Sequence, residues 1–442
     1  MIRKFVFVMS MLSFLGLPAL RAQESSTSDL IKTLQLRVMR YPGDYRGYAG
    51  LGAAYLQKGR ETGDAADFEL AKNALEESLD LLSNDPAAAF AMTQMAVVCM
   101  AEHRFDDALA WAQKALALGS GDPSPWAIAG DALADMGEYR DAAEAYSKLQ
   151  SQYGSQGEKL AFAYQRDSRM SFLRFVAGDT HGAIDLLRNT VHTAIETRMP
   201  AENVAWSQYQ LGEELFQAGE VVNAEKAYRA ALEEYPGYYR ALAGLAKACA
   251  ARGRYREAVD FYKKAISVAP YPEYVTSLGD LYQTIGDSRE AKRQYELVEF
   301  IGHLSQINQQ IHNRDLALFY ADHHLKLDES LELARKELEV RHDIYTWDVL
   351  AWSLFQNGQL NEAADAIDHA LGQGTKDARL FFHAGMIYEK AGDSAKARDY
   401  IRRALETNPH FHILYSQVAA KALDRLTQSD AVTRQQEVSS DH

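Results

Sequence analysis

The chain has 442 residues, of which 47% are hydrophobic and 24% charged, and a formal net charge of −14. That composition belongs to a folded protein, and the length exceeds what one compact core usually spans, so several domains or a repeat array are expected. The acidic balance makes nucleic acid, which is bound mainly by neutralising phosphates, a poor partner, and an anionic membrane surface an equally poor one.

Residues 1–22 read as a secretory signal. Arg3 and Lys4 supply a basic start, Phe5 to Leu17 is an apolar run, and Leu20-Arg21-Ala22 offers a small residue at the cut. The run is short for a membrane span, which takes about 20 residues. Cleavage would give a periplasmic or secreted protein, and retention an N-terminal anchor. Because Arg3, Lys4 and Arg21 are the three charges of this segment, the remainder carries −17. No later segment is apolar enough to span a membrane, so no integral membrane segment is expected after cleavage. Leu30 to Met39 read as an opening helix, within residues 23–44.

From residue 45 a phrase recurs. Gly137-Glu138-Tyr139-Arg140-Asp141-Ala142-Ala143-Glu144-Ala145-Tyr146 returns as Gly253-Arg254-Tyr255-Arg256-Glu257-Ala258-Val259-Asp260-Phe261-Tyr262. Its alanine recurs at Ala71, Ala108, Ala142, Ala183, Ala224, Ala258, Ala291, Ala363 and Ala397, with Ser330 as a weaker equivalent. The spacing stays near 34 residues with loop insertions. Gly59, Gly137, Gly178, Gly219, Gly253, Gly286, Gly358 and Gly392 mark a turn in each unit, because glycine accepts left-handed backbone angles cheaply. Nine of the ten prolines fall between apolar-periodic segments, as helix ends require.

The divisions follow. Residues 45–155 hold units 1–3, with an insertion near Glu61–Phe68. Residues 156–200 form a divergent unit 4 with long helices. Residues 201–300 hold units 5–7, residues 301–343 a divergent unit 8 without the glycines, and residues 344–410 units 9–10. Phe411, Leu414, Tyr415, Val418, Ala422, Leu423 and Leu426 make one apolar helical stripe, a capping helix over 411–426. Residues 427–442 read as a polar, flexible tail.

Period and phrase together resemble the tetratricopeptide repeat, whose pattern runs aromatic, Leu-Gly, Tyr, Ala, aromatic, Pro. Unit 5 shows Leu211, Gly212, Ala224, Tyr228 and Pro236. Unit 7 shows Leu278, Gly279, Tyr282, Ala291 and Tyr295. Unit 10 shows Phe381, Gly385, Tyr388, Ala397 and Pro409. The resemblance covers roughly residues 45–410. It implies an all-α fold, a right-handed superhelical solenoid of about ten antiparallel helical hairpins.

It further implies that the first helix of each unit lines a concave groove holding a partner protein, as an extended or helical segment. Carried onto this sequence, the groove positions are Phe90, Val97 and Met100 in unit 2, Asp131 and Asp135 in unit 3, and Trp206, Tyr209 and Phe216 in unit 5. Arg240 and Lys247 follow in unit 6, Asp280 in unit 7, Tyr345, Trp352 and Phe355 in unit 9, and Phe382 and Met386 in unit 10. Aromatics exposed there would anchor a partner's side chains, and the acids would select its charge. The Lys/Asn arrangement that clamps a chaperone's C-terminal carboxylate is absent. Thr93, Val97, Ala127, Asp131, Ala243 and Lys247 stand in its place.

Other chemistry finds little support. His303, His312, His323, His324 and His342 crowd one segment but lack zinc-ligand spacing, and His410 and His412 suit a helix C-terminus. Cys99 and Cys249 read as small buried hydrophobes. No nucleophile elbow, phosphate loop or dinucleotide fingerprint occurs, so no enzyme, cofactor or metal is expected. The alternative to a protein scaffold is glycan or small-molecule binding, which requires aromatics converging on one pocket. The oligomeric state stays open.

Overall fold

A computed structural model describes residues 26–82, 84–150, 155–307 and 313–440. The expected signal, residues 1–22, and His312 lie outside the described residues. After α1 (Thr27–Arg40) come ten hairpins. Units 1–3 are α2 (Tyr45–Thr62) with α3 (Ala66–Leu81), α4 (Ala89–Ala101) with α5 (Phe105–Ala117), and α6 (Ser124–Asp135) with α7 (Tyr139–Ser147). Unit 4 is α8 (Gln156–Val176) with α9 (Thr180–Glu196). Units 5–7 are α10 (Ala201–Gln217) with α11 (Val221–Glu234), α12 (Tyr239–Ala251) with α13 (Tyr255–Val268), and α14 (Pro272–Thr284) with α15 (Ser288–Ile307). Unit 8 is α16 (Asn313–Asp322) with α17 (Leu327–Leu338). Units 9 and 10 are α18 (Ile344–Gln356) with α19 (Leu360–Leu371) and α20 (Ala378–Lys390) with α21 (Ser394–Thr407). The last helix, α22 (Tyr415–Ser440), packs on α21. Residues 427–440, expected as a flexible tail, therefore continue the capping helix. Among the described residues there is no strand, and no helix is long and apolar enough to cross a membrane.

Capping explains where the helices start. The side chains of Asp44, Asp179, Asp343, Asp377 and Asp393 accept from backbone N–H groups of the following turn, donors that have no intrahelical partner. Ser155 and Glu158 form a reciprocal capping box on α8. Of the expected turn glycines, all but one have positive φ. Gly59 is the exception. It lies inside α2, where a side chain would strike Phe68, and unit 1 turns instead at Gly63, with φ 72°. The insertion near Glu61–Phe68 thus lengthens the first helix by about one turn.

Each hairpin closes over small residues. A methyl group at Gly130, Gly212 or Gly279 would stand 2.3–2.5 Å from the ring of Tyr146, Tyr228 or Tyr295 on the paired helix. The periodic alanines, from Ala71 to Ala397, are buried in the same seams. In unit 8 the substitute Ser330 is fully buried, and its hydroxyl reaches the Ala317 carbonyl at 2.8 Å. Burial there is tolerated because the polar group is bonded.

The solenoid also touches itself across a turn of its superhelix. The turn of unit 1, at Gly63, lies against Tyr271, between units 6 and 7. Gly137 of unit 3 lies against His342, between units 8 and 9. Gly178 of unit 4 lies against Gly374, between units 9 and 10, and Gly219 of unit 5 against Thr407 and Asn408, at the end of unit 10. The offset is constant, each turn meeting the junction that follows the fifth unit beyond it. Hydrogen bonds reinforce it. The His342 N–H donates to the Asp135 carbonyl at 3.3 Å, the Ile344 N–H to the Tyr139 hydroxyl at 2.9 Å, and Asn408 Nδ2 to the Phe216 carbonyl at 2.7 Å.

Candidate functional site

A repeated device lines the inner face. In units 3, 5 and 7 an acid follows the close-packing glycine of the first helix: Asp131, Glu213 and Asp280. The tyrosine hydroxyl of the second helix donates to it, from Tyr146 at 2.9 Å, Tyr228 at 2.5 Å and Tyr295 at 2.9 Å. The next unit then supplies a basic side chain, from its first helix for Arg169 and Lys247 and from the residue just after that helix for His323. Arg169 meets Asp131 with two bonds of 2.8 Å, Lys247 meets Glu213 at 2.8 and 2.9 Å, and His323 meets Asp280 at 2.7 Å. These acids are therefore consumed within the fold. Burial pushes the Asp131 carboxyl up to about 6 against the pull of Arg169. Burial alone would also raise Glu213, but Lys247 and Tyr228 hold it below the usual carboxylate range. The imidazole of His323 lies 2.8 Å from the Phe319 carbonyl through Nδ1 and faces Asp280 through Nε2, so both ring nitrogens meet acceptors. Burial opposes its charge, yet Asp280 wins and raises its pKa.

Two of these pairs flank a cleft of about 410 Å³. One wall comes from units 5–7: Phe216, Lys247, Tyr255, Tyr262 and Asp280. The other is the C-terminal crossing, with Leu405 of α21, the loop Pro409–Ile413, and Ser416, Gln417 and Ala420 of α22. Lys247 lies over the Phe216 ring at 4.6 Å, a contact that holds its charge at the cleft wall. His412 fixes the crossing loop. Its Nδ1 accepts from the Leu414 and Tyr415 N–H groups, and its Nε2 stands 3.9 Å from Asp280. Burial pushes its pKa down to about 4, so it is neutral at pH 7. The expectation of a cationic histidine at a helix C-terminus is corrected: His412 caps the start of α22.

Of the groove residues expected from sequence, Phe216, Lys247 and Asp280 line this cleft, although Phe216 and Asp280 are themselves buried, at 3% and 2% exposure. Most of the others are part of the fold's interior. Val97 and Met100 are buried among the units 2–3 seams, and Asp135 is buried 3.8 Å from Arg341. Trp206 meets Tyr164 edge-on, Tyr209 packs on Tyr228 and Tyr238, and Arg240 is buried under Tyr239. The Arg379 guanidinium lies over the buried ring of Tyr345. Trp352 stacks on His383 at 4.1 Å and on Phe355, and its Nε1–H donates to Asp322 at 2.8 Å. Phe382 stacks on Tyr415 and packs at a tilt on Phe411 of the C-terminal crossing, and Met386 is half-buried. Phe90 is exposed, at 45%, away from the cleft. The expected stripe of open aromatics is thus corrected. In units 9 and 10 the crossing loop and α22 cover it, and in unit 5 neighbouring tyrosines do.

Sequence reasoning missed Tyr255, Tyr262, Phe411 and the pairing role of His323. The signal for the last was present in units 3, 5 and 7, as an acid after the repeat glycine and a basic residue 34 to 43 positions later. Cys99 and Cys249 are buried and free, and burial pushes both thiols up to about 11. Among the described residues no three His, Cys, Asp or Glu side chains gather where a metal could sit.

Comparison with known families places repeats along most of the chain. Tetratricopeptide-repeat profiles match residues 215–296 and 349–410, and a tetratricopeptide repeat-like domain profile matches residues 21–165. No curated protein matches. Similar solved structures include the APC/C hetero-tetramer Cut9–Hcn1, 13% identical over 90% of this chain and 93% of that one, with a TM-score of 0.34. A tetratricopeptide repeat protein from Parabacteroides merdae ATCC 43184 is 16% identical over 60% of this chain and 99% of its own, also with a TM-score of 0.34.

Proposed function

We propose that the chain, a tetratricopeptide-repeat protein, is an interaction scaffold that takes a short segment of a partner protein into the cleft between units 5–7 and the C-terminal crossing. Repeats of this kind generally mediate protein–protein contacts and are typically not enzymes. The observation that carries the reading is the cleft itself, lined by the half-buried Tyr255 and by Phe216, Tyr262 and Phe411, with Lys247, already paired to Glu213, at its wall. Aromatic rings offer large area at low entropic cost, and a few polar groups fix orientation. The N-terminal apolar run supports an exported location, periplasmic or secreted, or anchored if the run is kept.

One observation favours a second reading. Four aromatics converge on one cavity, as glycan or small-molecule binding requires. A photo-crosslinking residue at Gln417, exposed on the cleft rim, separates the two in the native envelope fraction. Crosslinks to one peptide segment of one protein support the scaffold. Crosslinks confined to a glycan or small molecule support the second reading. Absence of any crosslink, with the same residue at exposed Phe90 equally silent, would remove the cleft from consideration.

A further inference from the structure

The described part of the chain opens with a surface whose charge runs against the molecule's. On α1, Lys32, Leu36, Met39 and Arg40 fall within about 100° of arc on one exposed face, while Ile31 and Val38 point into the core. Leu36 is 62% exposed, Met39 71% and, just beyond the helix, Tyr41 59%. The loop into α2 then brings Arg37, Arg40, Tyr41, Tyr45 and Arg46 around one open concavity. Asp29 pairs with Lys32, and Asp44 holds Arg37 at 2.5 Å. Among the described residues Arg40 and Arg46 have no carboxylate partner.

We propose that this surface docks the protein on an anionic lipid bilayer. The face combines what an interfacial helix needs, exposed apolar side chains between arginines. Its positive sign in a strongly acidic protein selects an anionic surface and orients the molecule with α1 toward it. The apolar run Phe5–Leu17 lies about ten residues upstream, so α1 is the first described helix that follows it in sequence. The proposal runs against the composition-level expectation that an anionic membrane is a poor partner, because net charge does not describe a local patch. It is independent of the cleft.

The test is co-sedimentation of the full chain with vesicles of phosphatidylcholine alone and of an equal mixture with phosphatidylglycerol. The wild type should bind the mixed vesicles and release them as salt is raised. Arg40→Gln/Arg46→Gln should lower the partition coefficient by about 25-fold, near fivefold per basic residue lost. Leu36→Ser/Met39→Ser should lower it on both lipids. Any binding driven by the N-terminal apolar run is common to all variants and insensitive to salt. Equal partitioning of wild type and the arginine variant would overturn the proposal. So would arginine-dependent capture of polyglutamate with no vesicle binding, which would assign the patch to an acidic peptide.

Discussion

Self-contact across the superhelix can be perturbed at one atom. Gly178 has φ 79°, and a methyl group there would stand 2.2 Å from the carbonyl oxygen of Gly374. Gly358 has nearly the same backbone, φ 75°, but open space around it. Left-handed backbone costs an alanine about 1–2 kcal/mol at either site. Gly178→Ala adds a backbone clash that only separation of units 4 and 9–10 relieves, and overpacking of this kind costs about 1–3 kcal/mol more. Urea unfolding followed by far-UV circular dichroism should therefore show a midpoint shift for Gly178→Ala about twice that for Gly358→Ala. Small-angle scattering should show an increased radius of gyration in the former alone. Equal midpoints and equal radii would refute the reasoning, because the contact between turns would then carry no load.

Further expectations follow from the inner face. Trp352→Ala should destabilise by about 3–5 kcal/mol as a core truncation, whereas Phe90→Ala should change the urea midpoint negligibly. Arg169→Met strands the buried Asp131 carboxylate and should cost about 3–5 kcal/mol, while Asp131→Leu/Arg169→Met should recover most of that loss. The pKa of His323 is raised in the folded chain, so its contribution is complete below the unfolded value of about 6.5 and disappears as pH rises through the folded value. The stability difference between wild type and His323→Asn should accordingly be larger at pH 6 than at pH 9. His412 has the opposite sign, with a folded pKa of about 4, so acid titration through that value should loosen the C-terminal crossing before the rest, seen as early amide exchange over residues 409–420.

The repeats were legible because each hairpin solves its own packing problem with nearby residues. Gly130 and Tyr146, or Gly279 and Tyr295, are sixteen positions apart and meet within one unit. The offset that brings Gly178 against Gly374 was not legible. It accumulates from a small rotation per unit, and no single residue encodes it. The same reason hid the fate of Trp352 and Phe382. Their positions in the repeat face the groove, but Phe411 and Tyr415 return from the C-terminus to cover them. Gly59 misled for a local reason: it resembles a turn glycine but serves close approach to Phe68 inside a longer helix.

The central claim is that binding belongs to the cleft and that most of the inner aromatic stripe belongs to the core. Ala420 is exposed on the cleft rim, so Ala420→Trp fills the cleft without touching the interior. The decisive measurement is a titration of the segment that crosslinks at position 417 against wild type and Ala420→Trp. The account predicts an unchanged melting temperature and affinity weakened at least about tenfold, roughly the loss of one well-packed contact. Unchanged affinity in a variant that folds normally would contradict it and place binding elsewhere on the solenoid.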